Sequence, residues 1–292
     1  MTLRAKKPTM KEVRFKTLIY GDKGTGKTHF CCSFPEPYYI DTEGLEDYPH
    51  FKEMIIENNG DLISLPHLEE IIEEVKSLIS LKHHYKTLII DSISFPYGWL
   101  TQTEIERLTK KSPNTEGTEF GANVAKAKRL TYKLGILLSQ LDMNIVVIAH
   151  EKIRYVDGKE VGKTFDINDK LAYTLGAVLR LQLQGKSRKL FVEKSRYKEL
   201  ETSSTINFDE GYKIIENLFG KDIFHRESKN IEIATDSQVE ELNKLISEHN
   251  IPEKIIQSWL TKAEAKAFEF MEKEKIQKCI DYVKSKVISE AA

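Results

Sequence analysis

The chain has 292 residues, enough for one large α/β domain or one domain with a small appendage. Forty per cent apolar and 30 % charged residues describe a globular protein with a sizeable core, and a net charge of −1 excludes a global field drawing it onto nucleic acid or membrane. Cys31, Cys32 and Cys279 make no C-x-x-C pair and no zinc spacing, so they read as reduced, small hydrophobes rather than redox centres.

Residues 1–12 are a basic arm, and through residue 16 the segment carries Arg4, Lys6, Lys7, Lys11, Arg14 and Lys16 against Glu12. It reads either as a solvated terminus or as an arm contacting phosphate or a neighbouring subunit. It has no apolar signal core, and no run approaches the roughly 20 apolar residues of a membrane span, so a cytoplasmic protein is expected.

From Val13 the chain alternates short aliphatic runs with helical periodicity. "FKTLIY" (15–20) and "PYYID" (37–41) read as buried strands, and Leu68, Ile71, Ile72, Val75, Leu78 and Leu81 share a helical face. "KTLIID" (86–91) is a third strand. A polar stretch "ERLTKKSPNTEGTEFG" precedes a long helix over 122–141, and "NIVVIAH" (144–150) is a fourth strand followed by a loop. Strands over 177–184 and 188–196, joined through Gly185, predict an antiparallel hairpin at the sheet edge. The rhythm predicts an α/β fold with a mostly parallel, doubly wound sheet over 13–228. Residues 229–292 hold no strand-like run; Ile276, Ile280, Val283 and Val287 trace a helical stripe, so a small helical module is expected there.

"GDKGTGKT" (21–28) is G-x-x-x-x-G-K-T, the P-loop. Gly21, Gly24 and Gly26 let the chain wrap a phosphate with Asp22, Lys23 and Thr25 between them. Lys27 is placed for the β- and γ-phosphates of ATP and Thr28 for Mg²⁺. Asp91 ends the run Leu88-Ile89-Ile90 at the carboxyl edge of a strand expected to flank the P-loop strand, and completes the metal shell. "DTEG" (41–44) has the D-x-x-G form of a GTPase, but the magnesium-carboxylate strand is already "LIIDS" and no N-K-x-D for guanine is present. Glu43, just past its strand, is therefore the candidate base that activates water.

"GDKGTGKT", "YYIDTEG", "TLIIDSIS" and "NIVVIAH", in this order over about residues 13–200, resemble the motif set of RecA-like ATPases, which include recombinases, DnaB-type helicases and KaiC. The resemblance implies a RecA-like P-loop NTPase core in which Glu43 is catalytic. That family commonly ends its fourth strand in a sensor Gln; here His150 stands, a departure. "FVEKSRY" resembles the K-x-R element inserted into a neighbouring subunit's site. Strand alternation would put Val192, Lys194 and Arg196 on one face, with Lys194 and Arg196 as fingers in a homo-oligomer whose active site lies between subunits.

More narrowly, the compact core, His150 and the helical tail look like phage-encoded RecA-core ATPases of the Sak type, which support single-strand annealing beside a single-stranded-DNA-binding protein. The implied partner is single-stranded DNA in recombination. Arg107, Lys110, Lys111, Lys126, Lys128 and Arg129, set against Glu116 and Glu119, with Phe120 and Gly121 as platform and hinge, are candidate contacts. So are Arg154, Tyr155, Lys159 and Lys163 after His150, although charges there cancel. From Thr235 the tail has nine lysines against eleven acids and does not look generically DNA-binding. A signalling or packaging ATPase and a small-molecule P-loop kinase are the alternatives.

Overall fold

The computed structural model describes residue 7 and residues 12–111, 121–208 and 211–291, so the expected basic arm lies largely outside the described residues. The strands are β1 (Lys16–Gly21), β2 (Pro37–Asp41), β3 (Asp61–Ser64), β4 (Thr87–Asp91), β5 (Asn144–Val156), β6 (Lys159–Phe165), β7 (Ala177–Gln184), β8 (Ser187–Ser195) and β9 (Thr205–Asn207). Between and after them run α1 (Lys27–Cys32), α2 (Pro49–Glu57), α3 (Leu68–Ser80), α4 (Ser94–Lys111), α5 (Ala122–Gln140) and α6 (Asp169–Thr174). The chain ends in α7 (Lys213–Phe219), α8 (Lys221–Phe224), α9 (Asp236–Glu248), α10 (Glu253–Ala263) and α11 (Lys273–Ala291). The sheet order is β3-β2-β4-β5-β1-β7-β8-β9, with β6 paired to β5. β1 to β5 and β7 run parallel where they pair, and β5/β6, β7/β8 and β8/β9 are antiparallel, so this is an α/β core on a mostly parallel mixed sheet.

The aliphatic strands are buried on both faces, as helices on two sides require. Leu18, Tyr20, Leu88, Ile90, Ile145 and Val147 pack with α3 to α6, while Ile19, Ile89, Val146 and Ile148 pack with α1, α2, α7 and α8. Each fully buried Leu or Ile contributes about 2 kcal/mol of transfer free energy. Two layers of this kind hold the carboxyl ends of β1, β2 and β4 rigidly together.

The structure corrects four expectations. β5 lies between β1 and β4, so the Asp91 strand does not flank the P-loop strand. The segment after His150 is not a loop: β5 runs on to Val156 and turns through Gly158 into β6. Residues 106–111 of the polar stretch are the last turns of α4. A β-bulge at Glu193 puts Leu179 opposite Val192 and Val178 opposite Lys194. Alternation is broken there, and Lys194 turns to the opposite face from Val192. The hairpin through Gly185 is present.

The C-terminal helices form their own cluster from Ala234, Leu242, Met271, Ile276, Cys279 and Ile280. A capping box of Thr235 and Gln238 starts α9. Ile276, Ile280 and Val283 are buried, as the expected stripe requires; the Val287 side chain lies outside the described residues. Phe270 and Ile233 reach into the main core, and Lys133–Glu269 (2.6 Å) ties the helices to α5.

Arg14 secures the connection between these parts. Its side chain is 2 % exposed; it donates to the carbonyls of Ile223 and Arg226 (both 2.7 Å) and lies 3.2 Å from Asp142. Asp142 also accepts from Arg226 (2.6 Å) and from the Lys229 backbone (3.1 Å). Arg14→Ala is expected to cost about 3 kcal/mol, since carbonyls are left unpaired and Asp142 loses a partner. Urea unfolding of the two proteins measures it.

Candidate active site

The P-loop leaves β1 at Gly21 and enters α1 at Lys27. Gly21 has no substitute: a Cβ there would stand 2.2 Å from the Leu181 carbonyl oxygen of β7. Gly26 has φ +97, a conformation side chains rarely adopt. Lys27 donates to the carbonyls of Gly21 (2.8 Å) and Asp22 (2.9 Å), folded over its own loop. Burial pushes its amine below the usual range, against the pull of Asp91 and Glu43.

Asp91 closes β4, pointing at the start of α1. Its Oδ2 accepts from Thr28 (2.7 Å) and from the buried Tyr39 hydroxyl of β2 (2.6 Å). Burial raises its pKa; the Tyr39 and Thr28 hydrogen bonds work against that, and nearby Glu43 adds to the rise. A hydroxyl and a carboxylate are oxygen donors of the kind Mg²⁺ takes, completed by water and phosphate oxygens. A divalent cation would also neutralise a carboxylate that burial disfavours, so Thr28 and Asp91 fit the ion the P-loop implies.

The "DTEG" turn is built by Asp41. Its carboxylate accepts the backbone N–H groups of Glu43 (2.9 Å) and Leu45 (2.5 Å), and its side chain is buried. Asp41 is therefore a backbone cap, and Glu43 is the acid the turn presents. Glu43 accepts from the Ser92 hydroxyl and from His150 Nε2 at 2.7 Å. Burial raises the Glu43 pKa, but the hydrogen bonds from His150 and Ser92 outweigh it and hold the carboxyl below its ordinary range. The same hydrogen bond raises His150 above the ordinary imidazole value, with burial opposing. His150 pairs in register with Gly21, so β5 brings the imidazole to the mouth of the P-loop.

The structure thus brings together Gly21–Thr28, Asp91, Glu43 and His150. Lys194 and Arg196 are not in this cluster. Lys194 donates to the carbonyls of Ala172 (2.7 Å) and Leu175 (3.0 Å), and burial with Arg196 nearby lowers its pKa to about 8. Arg196 lies beyond the end of β8, exposed, with its backbone N–H on Gly176 (2.8 Å).

Three residues were not singled out from sequence: Tyr39, Ser92 and Arg188. Arg188 on β8 donates to the Thr25 carbonyl (2.9 Å) and lies over the Phe208 ring, 5.7 Å from its centroid. With His29, Phe30, Ser33 and Gly211 these two line a cleft of about 230 Å³ alongside α1. Only Ser92 carried a signal, as the residue after Asp91; the others reach the site through long-range pairing.

Of the sequence-derived cationic contacts, Arg107 pairs with Glu104 (2.7 Å), Lys126 with Glu69 (2.8 Å) and Lys163 with Glu151 (2.6 Å). Gly121 opens α5 in the left-handed region, whereas Glu116, Glu119 and Phe120 lie outside the described residues.

Two outcomes follow. For His150, raised in the fold, the pairing contributes stability below the ordinary imidazole value and loses it as pH rises through the folded value. For Glu43, lowered in the fold, it is present above the ordinary carboxyl value and lost as pH falls through the folded one. The ion pair is therefore intact from weakly acidic to near-neutral pH. An NMR titration is expected to place His150 above about 6.5, and Glu43→Gln to bring it down. Tyr39→Phe removes a donor from Asp91, and is expected to weaken Mg²⁺-dependent nucleotide binding about tenfold while Mg²⁺-free binding stays unchanged, read by calorimetry with and without the ion.

A crystal structure of the RadB recombinase aligns over 65 % of this chain and 84 % of its own, with 18 % identity and a TM-score of 0.42. Comparison with curated protein sequences yields no match. The family described as an AAA domain matches residues 14–211, which span β1 to β9 and every residue of the site above. The chain belongs to the AAA domain family of P-loop ATPases.

Proposed function

We propose that this chain hydrolyses ATP as a RecA-like protein acting on single-stranded DNA in phage-type recombination or strand annealing. The observation that carries the reading is the course of β5. Midway along this strand His150 holds Glu43; farther along, Lys152, Arg154 and Tyr155 face a cavity of about 770 Å³. Lys128 from α5, Lys194 from β8, and the rings of Tyr97 and Tyr173 also line it. Cations with exposed aromatic faces suit a single strand, whose phosphates need charge and whose bases stack. Tyr155 and Tyr173 are 61 % and 63 % exposed, as stacking requires.

In this mechanism Gly21–Thr28 hold the triphosphate, and Lys27 leaves its own loop carbonyls for the β- and γ-phosphates. Thr28 and Asp91 would hold Mg²⁺, which when bound would neutralise phosphate charge. Glu43 takes a proton from the attacking water once freed from His150 and Ser92. While paired with His150 it is a weak base, its pKa held low. A strand bound against Lys152 and Arg154 shifts β5 and, with it, His150. Turnover is thereby tied to DNA.

Lys194 and Arg196 fit a role in a neighbouring subunit's site, since neither approaches its own P-loop and Arg196 is an exposed residue. A homo-oligomer with the active site between subunits follows, working beside a single-stranded-DNA-binding protein. Among the described residues no helix is long and apolar enough to cross a membrane.

The deciding experiment is ATP and GTP turnover with and without single-stranded DNA. DNA is expected to stimulate ATP hydrolysis, Glu43→Gln to reduce it about 10²- to 10⁴-fold, and Lys152→Ala with Arg154→Ala to abolish the stimulation while leaving basal turnover. Turnover indifferent to DNA would point to a signalling or packaging ATPase. Phosphate transfer to a nucleoside or nucleotide would identify a kinase, and full activity in Glu43→Gln would remove that residue from the chemistry.

A further inference from the structure

The C-terminal helices carry a groove that the ATPase reading leaves unused. α10 and α11 enclose about 740 Å³, lined by Ile255, Trp259, Ala263, Met271, Cys279 and Tyr282 on its floor and walls. Along α10 the lysines Lys254 and Lys262 frame Ser258 at four-residue spacing, and Ile255, Trp259 and Ala263 follow one position on. On α11, Lys275 and Cys279, then Lys278 and Tyr282, repeat that spacing. Residues four apart share a helix face, so α10 offers a lysine row beside an apolar row, while on α11 each row sets one lysine beside Cys279 or Tyr282. No residue of α10 is buried, although its apolar face is well defined. That face is only half covered by the rest of the module.

None of the residues lining the groove is acidic. Lys275 pairs with Glu272 at 2.6 Å, while among the described residues Lys254, Lys262 and Lys278 make no ion pair. The charge is thus one-signed here, although the tail as a whole has more acids than lysines. A concave apolar floor under a cationic rim selects a ligand with a large apolar side chain flanked by carboxylates. A nucleic acid strand fits less well. The Trp259 and Tyr282 rings meet edge to face, at 80° and 6.0 Å, and the floor between them is aliphatic and sulfur-bearing rather than a stacking platform.

We propose that the groove between α10 and α11 is a docking site for an acidic peptide segment of a protein partner, anchored by a large apolar side chain. The carboxylates lie along Lys254, Lys262 and Lys278, and the anchor enters between Trp259 and Met271. The proposal does not depend on what the ATPase core acts on.

The test uses the full chain with Trp99→Phe, which leaves Trp259 as the sole tryptophan reporter. The probe is a synthetic peptide of four aspartates followed by phenylalanine and leucine. Its controls carry lysines for the aspartates, or serines for the apolar pair, and oligothymidylate is a separate arm. The acidic apolar peptide is expected to shift Trp259 emission, and Lys254→Glu with Lys278→Glu to weaken it about tenfold or more. Ser258→Trp, read by anisotropy of labelled peptide, fills the groove without changing charge and is expected to abolish binding; circular dichroism verifies the fold of each variant. Equal binding of either control peptide overturns the proposal, as does undiminished binding to the charge-reversed or filled groove. Oligothymidylate competing with the peptide for Trp259 would replace the peptide by nucleic acid.

Discussion

Asp91 is a carboxylate buried at the end of a strand, and the site is arranged around what that burial requires. A charge withdrawn from water is costly unless donors surround it. Two donors come from different elements, Tyr39 on β2 and Thr28 on α1, and both converge on one oxygen of a residue on β4. The same contacts lock the P-loop helix to two strands that are distant in sequence. Even so, burial keeps the Asp91 pKa raised. A site of this kind gains from a nearby cation, which is why the P-loop and the carboxylate belong to one device.

The neighbouring turn divides two acids by burial. Asp41 is enclosed, and backbone N–H groups use both of its oxygens, so it shapes the chain rather than a ligand. Glu43, two residues on, is displayed at the surface, and among the described residues its carboxylate is bound by the side chains of Ser92 and His150. Backbone partners cannot be exchanged without unfolding the turn, whereas side-chain partners can be given up by a rotamer change. The D-x-x-G frame is therefore scaffold, and the movable acid lies inside it.

Aliphatic runs bounded by turn residues were legible in sequence because parallel strands buried on both faces leave a continuous apolar signal. The P-loop and Asp91 were legible for the related reason that local spacing encodes them. The order of strands was not, because β5 between β1 and β4 is a pairing of segments more than fifty residues apart on one side. The hairpin after His150 was hidden by its charges: Lys152 and Arg154 alternate with Ile153 and Tyr155, a strand pattern in a stretch that reads first as polar. The bulge at Glu193 defeats any argument from alternation, since it appears only as a register shift against β7. In the tail, net charge concealed a lysine face because helical periodicity sorts residues that composition averages.

Adjacent residues on β5 face opposite ways, and this gives the strand two outputs. His150 turns toward Glu43 and Ser92. Glu151, its side chain 6 % exposed, turns toward Arg180 of β7 (2.8 Å) and Lys163 of β6 (2.6 Å). Lys163 in turn lies 3.7 Å from Asp22 of the P-loop. The hairpin is thus anchored to the P-loop on one side and to Glu43 on the other. From Glu151 to Arg154 the strand pairs with β6 without a break, the register shifting only past Arg154, so displacement of Lys152 to Arg154 is carried to both anchors. Under the proposed reading, what binds the hairpin would change the hold on Glu43 and the seat of the triphosphate together.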